Sequence, residues 1–444
     1  MHSNVLANSG GLLKKSSPLK NVLWLIAERI GSLVLSLVVT LAVARHLMPE
    51  AFGQLSYLLA LVSLVAPLMA LGLNSIVSRE VLSRPNKYHI IVGSSVAVRL
   101  IAGLGVAPVA IGLGYIYLPG DNSHLFAFLI LSSVFNAALV VEFWLQAHTA
   151  NRYASMVRLG SLLVFSAARV MAVFSEADLA TFVYLSGLEL MCVAVLYMMV
   201  YHRHGGGVGQ LRASWPEIGR LIRDSRWLLL SGFAAVVYLK VDQVMLGLMV
   251  DHKAVGIYAA AARISEVWYF FPAAVVTSFF PKLLTSRSSD LKLYASDLQK
   301  LNDALLYSAL AVALAVSVSA GWLLPFMFGP AYEASIPVLV IHVWVGLFVF
   351  MRALLSKWFI AENLLKLSML SQVLGALVNV ALNVWLIPLY GPVGAAYATV
   401  VSYGVAGYLV LFLHRDLWPM ALVVTRSILL PYRLLCKGRS LYQP

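Results

Sequence analysis

Charge is scarce in this chain. Asp, Glu, Lys and Arg make up 11% of 444 residues and hydrophobic residues 61%, against about 25% charged in an ordinary soluble domain. So few charges cannot cover a water-facing surface, which excludes a soluble globular protein and leaves an integral membrane protein. Cysteine is scarcer still. Cys192 lies in an apolar segment and Cys436 in the tail; one such pair builds neither a disulfide framework nor a zinc site, and nothing else in the sequence calls for a metal or cofactor. A small-residue cleavage site is missing from the first 20 residues, although Lys14, Lys15 and Lys20 are there. The apolar stretch that follows is therefore expected to be a retained first helix rather than a cleaved signal peptide.

What the chain has is apolar length. Twelve segments can cross about 30 Å of hydrocarbon at about 20 residues each: 20–44, 54–78, 88–118, 123–147, 156–175, 178–201, 226–250, 254–281, 301–327, 334–361, 364–389 and 392–414. With a cytoplasmic N-terminus, and with residues at the span ends (Lys20, Arg158, Arg226 and Lys366) counted with the adjoining loops, 23 of the 32 Lys and Arg fall on the cytoplasmic side, two (Arg45 and Lys253) on the other, and seven inside spans. Basic residues crowd cytoplasmic loops, so both termini are expected in the cytoplasm. The same bias accounts for most of the net charge of +13 without a nucleic-acid partner. The outer loops, PGDNS, EAD, DHK and GPAYEAS, leave no room for an extracytoplasmic catalytic domain.

The largest cytoplasmic connection, 202–225, separates a six-helix bundle at 1–201 from another at 226–414. Its Gly run reads as a flexible linker and SWPEIGRLIRDS as a short amphipathic helix. The basic tail, 415–444, has a short apolar run interrupted by Arg426, and is expected to lie on the membrane surface. Even halves suggest duplication. Ala51-Phe52-Gly53 aligns with Ala254-Val255-Gly256, each after the first span of its half; two ordinary Gly-containing turns would look the same.

Three stretches carry a family resemblance. ARHLMPEAFGQLSYLLALVSLVAPLMALGL (Ala44 to Leu73) resembles the opening hairpin of the Wzx-type polysaccharide flippases, which transport O-antigen and exopolysaccharide units. LKVDQVMLGLMVDHKAVGIYAAAARI (Leu239 to Ile264) resembles the start of their second half, and PLYGPVGAAYATVVSYG (Pro388 to Gly404) their last hairpin. The family belongs to the multidrug/oligosaccharidyl-lipid/polysaccharide exporter superfamily. The resemblance implies an all-α membrane protein with a MATE-like fold: two six-helix bundles around a central cavity, working by alternating access. It also implies a cargo of undecaprenyl-pyrophosphate-linked oligosaccharide, flipped from the cytoplasmic to the periplasmic leaflet of a bacterial inner membrane. A polysaccharide polymerase and a chain-length regulator are the partners expected with it. It implies no enzyme and no catalytic residue.

Seven basic and five acidic residues lie inside the spans, where an ionised side chain facing lipid costs at least about 2.5–3.5 kcal/mol. A pyrophosphate cargo needs cations: Lys240, Arg263, Arg352, Arg99 and Arg29 are the candidates, while Lys357, near a span end, also suits a topology signal. Asp242, Glu189, Glu266 and Glu28 suit either ion coupling or structural pairing. Glu142 is close enough to a cytoplasmic end to snorkel. Lys240 and Asp242, two apart, point about 200° from each other on a helix; Asp242 is therefore expected to meet Arg263 on the next span, leaving Lys240 for the cavity. Trp144, Tyr238, Trp268 and Asn379, with Gln146, Tyr269 and Asn383, are candidate sugar contacts, though bundle packing or an interfacial belt would explain each.

Three other functions compete. A multidrug exporter of cations should favour acidic cavity residues, whereas the deep charges of the second half lean basic. A lipid II flippase usually has two extra helices. A membrane polymerase or ligase generally needs a larger outer loop or an acidic motif at the membrane face; Glu176 and Asp178 stand without a His or metal pattern.

Overall fold

A computed structural model describes residues 18–205 and 207–435, so Cys436 lies outside the described residues, as do Lys14 and Lys15. The described residues form helices and turns, with no strand. A helix satisfies its backbone N–H and C=O groups internally, as the bilayer core demands. In order these are α1 (Pro18–Ala70), α2 (Asn74–Ser83), α3 (Tyr88–Tyr117), α4 (Asp121–Val134), α5 (Val140–Ala147), α6 (Asn151–Phe174), α7 (Leu179–His204) and α8 (Trp215–Met249). They continue as α9 (His252–Glu266), α10 (Phe270–Ser289), α11 (Leu291–Phe328), α12 (Ile336–His342), α13 (Val345–Ala361), α14 (Leu365–Gly407), α15 (Trp418–Ile428) and α16 (Leu430–Leu435).

Among the described residues, nine helical stretches are long and apolar enough to cross a membrane; Pro330–His342 and Val345–Ala361, bent by 46°, make a tenth crossing. Two of the nine are too long for one passage: Arg29–Ser83 has 55 residues and Leu365–Phe412 has 48, where about 20 suffice. Within them α1 is broken at Met48 (φ 60°) and α14 at Gly391 (φ 54°). At Gly391 the chain doubles back, since a Cβ on Gly394 would strike the Leu386 carbonyl, which a straight helix would hold about 12 Å away. Counting both as two crossings turns ten into twelve.

The helices form two compact units. Among the described residues, the first holds 18–43 together with Val65–Leu230; the second holds Ala44–Leu64 and 231–435.

In the first unit the core gathers Leu73, Ile91, Val140, Trp144, Tyr197 and Tyr201. On its charged edge Arg84 forks onto Glu217 (2.8 and 2.5 Å) and also reaches Glu80 (2.6 Å). Arg220 approaches Glu80 at 3.5 Å. These pairs join α2 to α8 and explain a departure from the expected linker. SWPEIGRLIRDS is no separate helix: α8 runs unbroken from Trp215, with Ile218 and Leu221 buried. Asp178 caps α7 by accepting from the Thr181 N–H (3.1 Å) and hydroxyl (2.8 Å). The hydroxyl bond, then the amide, holds its carboxyl below the usual carboxylate range.

The second unit begins with the turn after the first span. Arg45 donates to the carbonyls of Met327 (2.9 Å) and Phe326, a cation closing the C-terminal end of α11. Tyr332 donates to the Ala44 carbonyl at 2.8 Å. Gly53 and Gly256, the aligned glycines of the two halves, meet here. A Cβ on Gly53 would strike the His252 carbonyl, and one on Gly256 the Pro49 carbonyl.

The tail also differs from expectation. Leu417, Met420, Ala421 and Val424 are at most 2% exposed and pack beside Leu305, Leu354 and Phe359 in the core of the second unit. Their spacing gives α15 one apolar stripe. Asn302 donates to Ser427 at 2.7 Å and Gln299 to the same hydroxyl at 3.0 Å. The first part of the tail is therefore docked against α11 rather than spread on the membrane surface. Nearby, Arg287 holds Glu362 with two bonds of 2.9 and 3.0 Å and keeps its carboxyl below the usual range.

Candidate functional site

The deepest polar assembly in the second unit surrounds Asp242, which is 2% exposed. Its position follows from three local features. Asp251 caps α9 by accepting from the Ala254 N–H at 2.6 Å. Small residues on α9 (Ala254 and Ala259 to Ala262, all buried) let neighbouring helices approach closely. The turn at Gly391 sets the two arms of α14 side by side, so that Asn379 and Asn383 on one arm oppose Thr399 and Ser402 on the other.

Asp242 Oδ1 accepts from Asn383 Nδ2 at 2.6 Å. Oδ2 accepts from the Tyr258 hydroxyl at 2.7 Å and the Thr399 hydroxyl at 2.7 Å. Asn383 also donates to Asn379 Oδ1 (3.2 Å), and Asn379 to Ser402 (3.3 Å). Each of these donors is neutral. No ion pair to Asp242 is found among the described residues, and Arg263 is exposed. The expected Asp242–Arg263 pair therefore does not form, because the carboxylate turns toward the Tyr258 and α14 side of its helix. One buried acceptor, Asn383 Oδ1, has no donor.

A carboxylate buried among neutral partners is costly as a bare anion. Either a proton or a small cation would relieve it. No group of three or more His, Cys, Asp or Glu able to hold a metal ion occurs among the described residues. The oxygens on hand are one carboxylate, two amide carbonyls and hydroxyls, a hard set suited to a monovalent cation rather than zinc.

Beside this network, Tyr258 packs edge-on against His342 at 5.5 Å, and His342 Nδ1 lies 2.6 Å from Ser265 Oγ. The Lys240 charge is within electrostatic reach of that ring. Among the described residues no ion pair is found for Lys240 or Glu266. Among the described residues Arg352 bonds to neutral oxygens, the Ala406 carbonyl at 3.0 Å and Ser371 at 3.3 Å. Lys357 lies 5.3 Å from the Phe280 ring.

The remaining candidates are elsewhere. Arg99, 3% exposed, bonds Asn74 and lies 6.0 Å from the Phe143 ring in the first unit. Glu189 pairs with Arg169 at 2.6 Å and Glu142 with Arg158, which gives both carboxylates structural partners. Arg29 is exposed, and the Glu28 side chain is outside the described residues. Of the seven sugar candidates, Trp144 is 5% exposed between Tyr88, His148 and Tyr201. Tyr238 lies 4.0 Å from the buried Tyr403, and Asn379 is fully enclosed. Buried side chains offer a glycan no face; of the candidates, Trp268, 40% exposed, and the exposed Gln146 are accessible as they stand.

Sequence reasoning passed over Tyr258, Thr399 and His342. A His inside an apolar span was the available signal, since such residues are rare in spans and mark functional positions. Tyr and Thr are ordinary in membrane helices and gave none.

Comparison with known proteins places the chain. Residues 18–286 match the model of a family described as polysaccharide biosynthesis protein. The chain belongs to that family. Among curated proteins, a probable flippase of Haloferax volcanii, AglR, is 30% identical over 201 residues, 43% of this chain and 38% of its own. A second Haloferax volcanii protein, the probable low-salt glycan biosynthesis flippase Agl15, is 22% identical over 44% of this chain and 41% of its own. The chain thus spans less than half the length of the curated relatives it matches.

Solved structures resemble this family member in fold. The lipid II flippase MurJ in an inward closed conformation superposes with a TM-score of 0.69 at 12% identity, covering 94% of this chain and 93% of its own. An inward-facing multidrug resistance MATE family transporter gives 0.68 at 12% identity, over 89% and 95%. A superfamily transporter from Pyrococcus furiosus gives 0.63 at 13% identity, over 92% and 96%. At that identity the likeness establishes a MATE-like fold and nothing about cargo.

Proposed function

We propose that this chain is a flippase for lipid-linked glycans, moving undecaprenyl-pyrophosphate-linked oligosaccharide from the cytoplasmic to the periplasmic leaflet by alternating access. The observation that carries the reading is the pair of intramembrane cations Lys240 and Arg352, for which no carboxylate partner is found among the described residues. Keeping cations in spans without acidic partners is expensive, and a pyrophosphate headgroup would repay that cost through charge-assisted hydrogen bonds. Membership of a polysaccharide biosynthesis family and two relatives named as probable flippases support the same reading. The protein would lie in a bacterial inner membrane with both termini cytoplasmic, alongside a polymerase and a chain-length regulator.

In this reading Asp242 is the coupling group. Its carboxylate, with Asn379, Asn383 and Thr399, would take up H⁺ or Na⁺ in one state and release it in another. Lys240 would contact the anionic head of the cargo. Arg263, Arg99 and Arg29 are secondary candidates for that contact, and Trp268 for a sugar.

Deleting the gene is expected to abolish a surface polymer and leave lipid-linked repeat units facing the cytoplasm, with drug sensitivity little changed. Lys240→Ala should lower surface polymer at normal protein abundance. Lys240→Arg should keep part of the activity, because charge remains while shape changes. Polysaccharide gels beside immunoblots decide it. Full polymer from Lys240→Ala would remove Lys240 from the transport path, and drug sensitivity with normal polymer would favour a multidrug exporter.

A further inference from the structure

A groove of about 620 Å³ lies entirely within the first unit. One wall is a stripe of α7, from Ala194 through Val195, Met198 and Met199 to His202 and Arg203. The other is the tight 3-10 segment Phe135–Leu139 that follows α4, where small Ala138 leaves room. The base is closed by the turn after α7. Gly207 adopts φ 101°, and the Val208 N–H donates to His202 Nδ1 at 3.4 Å.

Chemistry changes sharply along the groove. From Ala194 to Met199 the lining is apolar, with Val195 45% and Met199 54% exposed. Its end is basic. Arg203 is exposed, and no carboxylate is paired with it among the described residues. Length matters as much as charge. Nine helical steps from Ala194 to Arg203 rise about 14 Å, close to half the ~30 Å hydrocarbon thickness. A groove of that length matches one leaflet, and its basic end lies at the last residues of α7, Leu179–His204.

We propose that this groove is a binding site for one anionic glycerophospholipid of the leaflet on its basic side. The acyl chains lie along Val195, Met198 and Met199, and the phosphate meets Arg203 and His202. Met side chains adapt to a flexible chain, and Arg matches phosphate oxygens with paired donors. A polyprenyl carrier fits less well, because its tail is several times longer than a groove that stops at one leaflet. The site goes beyond the proposed transport activity and does not depend on it.

The test uses the full chain, purified in mild detergent after equilibration with equal amounts of phosphatidylglycerol and phosphatidylcholine, with retained lipid counted by native mass spectrometry. Wild type should retain phosphatidylglycerol about five-fold over phosphatidylcholine, the preference expected of one basic side chain at the headgroup level. Replacing both basic residues (His202→Ala with Arg203→Ala) should bring the ratio near one. Met199→Trp, at an exposed position, should lower total retention by narrowing the groove while both basic residues stay. Unchanged thermal melts would show that both variants fold. Equal retention of the two lipids by wild type would overturn the proposal. So would a preference that survives loss of both basic residues, total retention unchanged by Met199→Trp, or a polyprenyl phosphate that outcompetes phosphatidylglycerol when added. Lipid retention is read without transport, so failure here leaves the flippase reading standing, and the reverse also holds.

Discussion

Asp242→Ala is expected to cost the protein much of its abundance, while Asp242→Asn spares the fold and removes ion dependence. The alanine variant removes the acceptor that the Tyr258 hydroxyl, the Thr399 hydroxyl and the Asn383 amide now share at 2.7, 2.7 and 2.6 Å, leaving Thr399 the Ala395 carbonyl at 2.8 Å, Asn383 the Asn379 carbonyl at 3.2 Å, and Tyr258 the Thr399 hydroxyl at 3.1 Å. Each buried group left without its acceptor costs about 1–3 kcal/mol, so three at full cost would total about 3–9 kcal/mol; the acceptors that remain hold the loss toward the low end, which is still large for any fold. Asparagine keeps one oxygen for the hydroxyls. Turning the Asn383 amide over would bring its unpartnered Oδ1 toward the new Nδ2. Asparagine cannot hold a proton or attract a cation as a carboxylate does, so transport should stop at near-normal abundance. In purified wild type, Na⁺ in large excess over its dissociation constant should raise stability by about 2.7 kcal/mol at a hundred-fold excess, and Asp242→Asn should show no such rise. A proton-coupled site would show the Asp242 dependence in pH titrations of transport instead. Immunoblots, melts with and without Na⁺ and a polymer assay cover these outcomes. Wild-type abundance for Asp242→Ala would sink the structural half of the argument. Adding Arg263→Ala should not rescue Asp242→Ala, since Arg263 is not among the bonds Asp242 makes.

Alanine at Gly53 or at Gly256 should be nearly as damaging. A Cβ on Gly53 would overlap the His252 carbonyl and sit 2.6 Å from the Gly256 nitrogen. One on Gly256 would overlap the Pro49 carbonyl and sit 3.1 Å from the Gly53 nitrogen. All of these are backbone atoms and cannot rotate out of the way, so the two helix starts must part. Overpacking of this kind typically costs about 1–3 kcal/mol, and parting also forfeits close Cα–H···O contacts worth about 0.5–1 kcal/mol each. The double variant should lose less than the two singles together, because the second Cβ enters a gap the first has opened. Thermal melts of the two singles and the double measure this. Single variants within about 0.5 kcal/mol of wild type, or strictly additive losses, would mean that the crossing is looser than its geometry states.

Class and span count were legible in the residues because hydropathy is local, and the family through the resemblance of three short stretches. Each apolar residue contributes to membrane insertion wherever its neighbours lie, so twelve crossings and an all-α fold could be read off one segment at a time. The aligned glycines Gly53 and Gly256 could be picked out as a pair, though not as touching. Partnership could not be read, because each residue turns a helix by about 100° and a modest rotation decides which neighbour a side chain meets. Packing alone settled that Asp242 faces Tyr258, Asn383 and Thr399 rather than Arg263, and that Trp144 and Tyr238 are buried. It also drew α15 into the core of the second unit. Its apolar stripe is too weak to announce a span, yet it suffices once α11 provides Asn302 and Gln299 to meet Ser427.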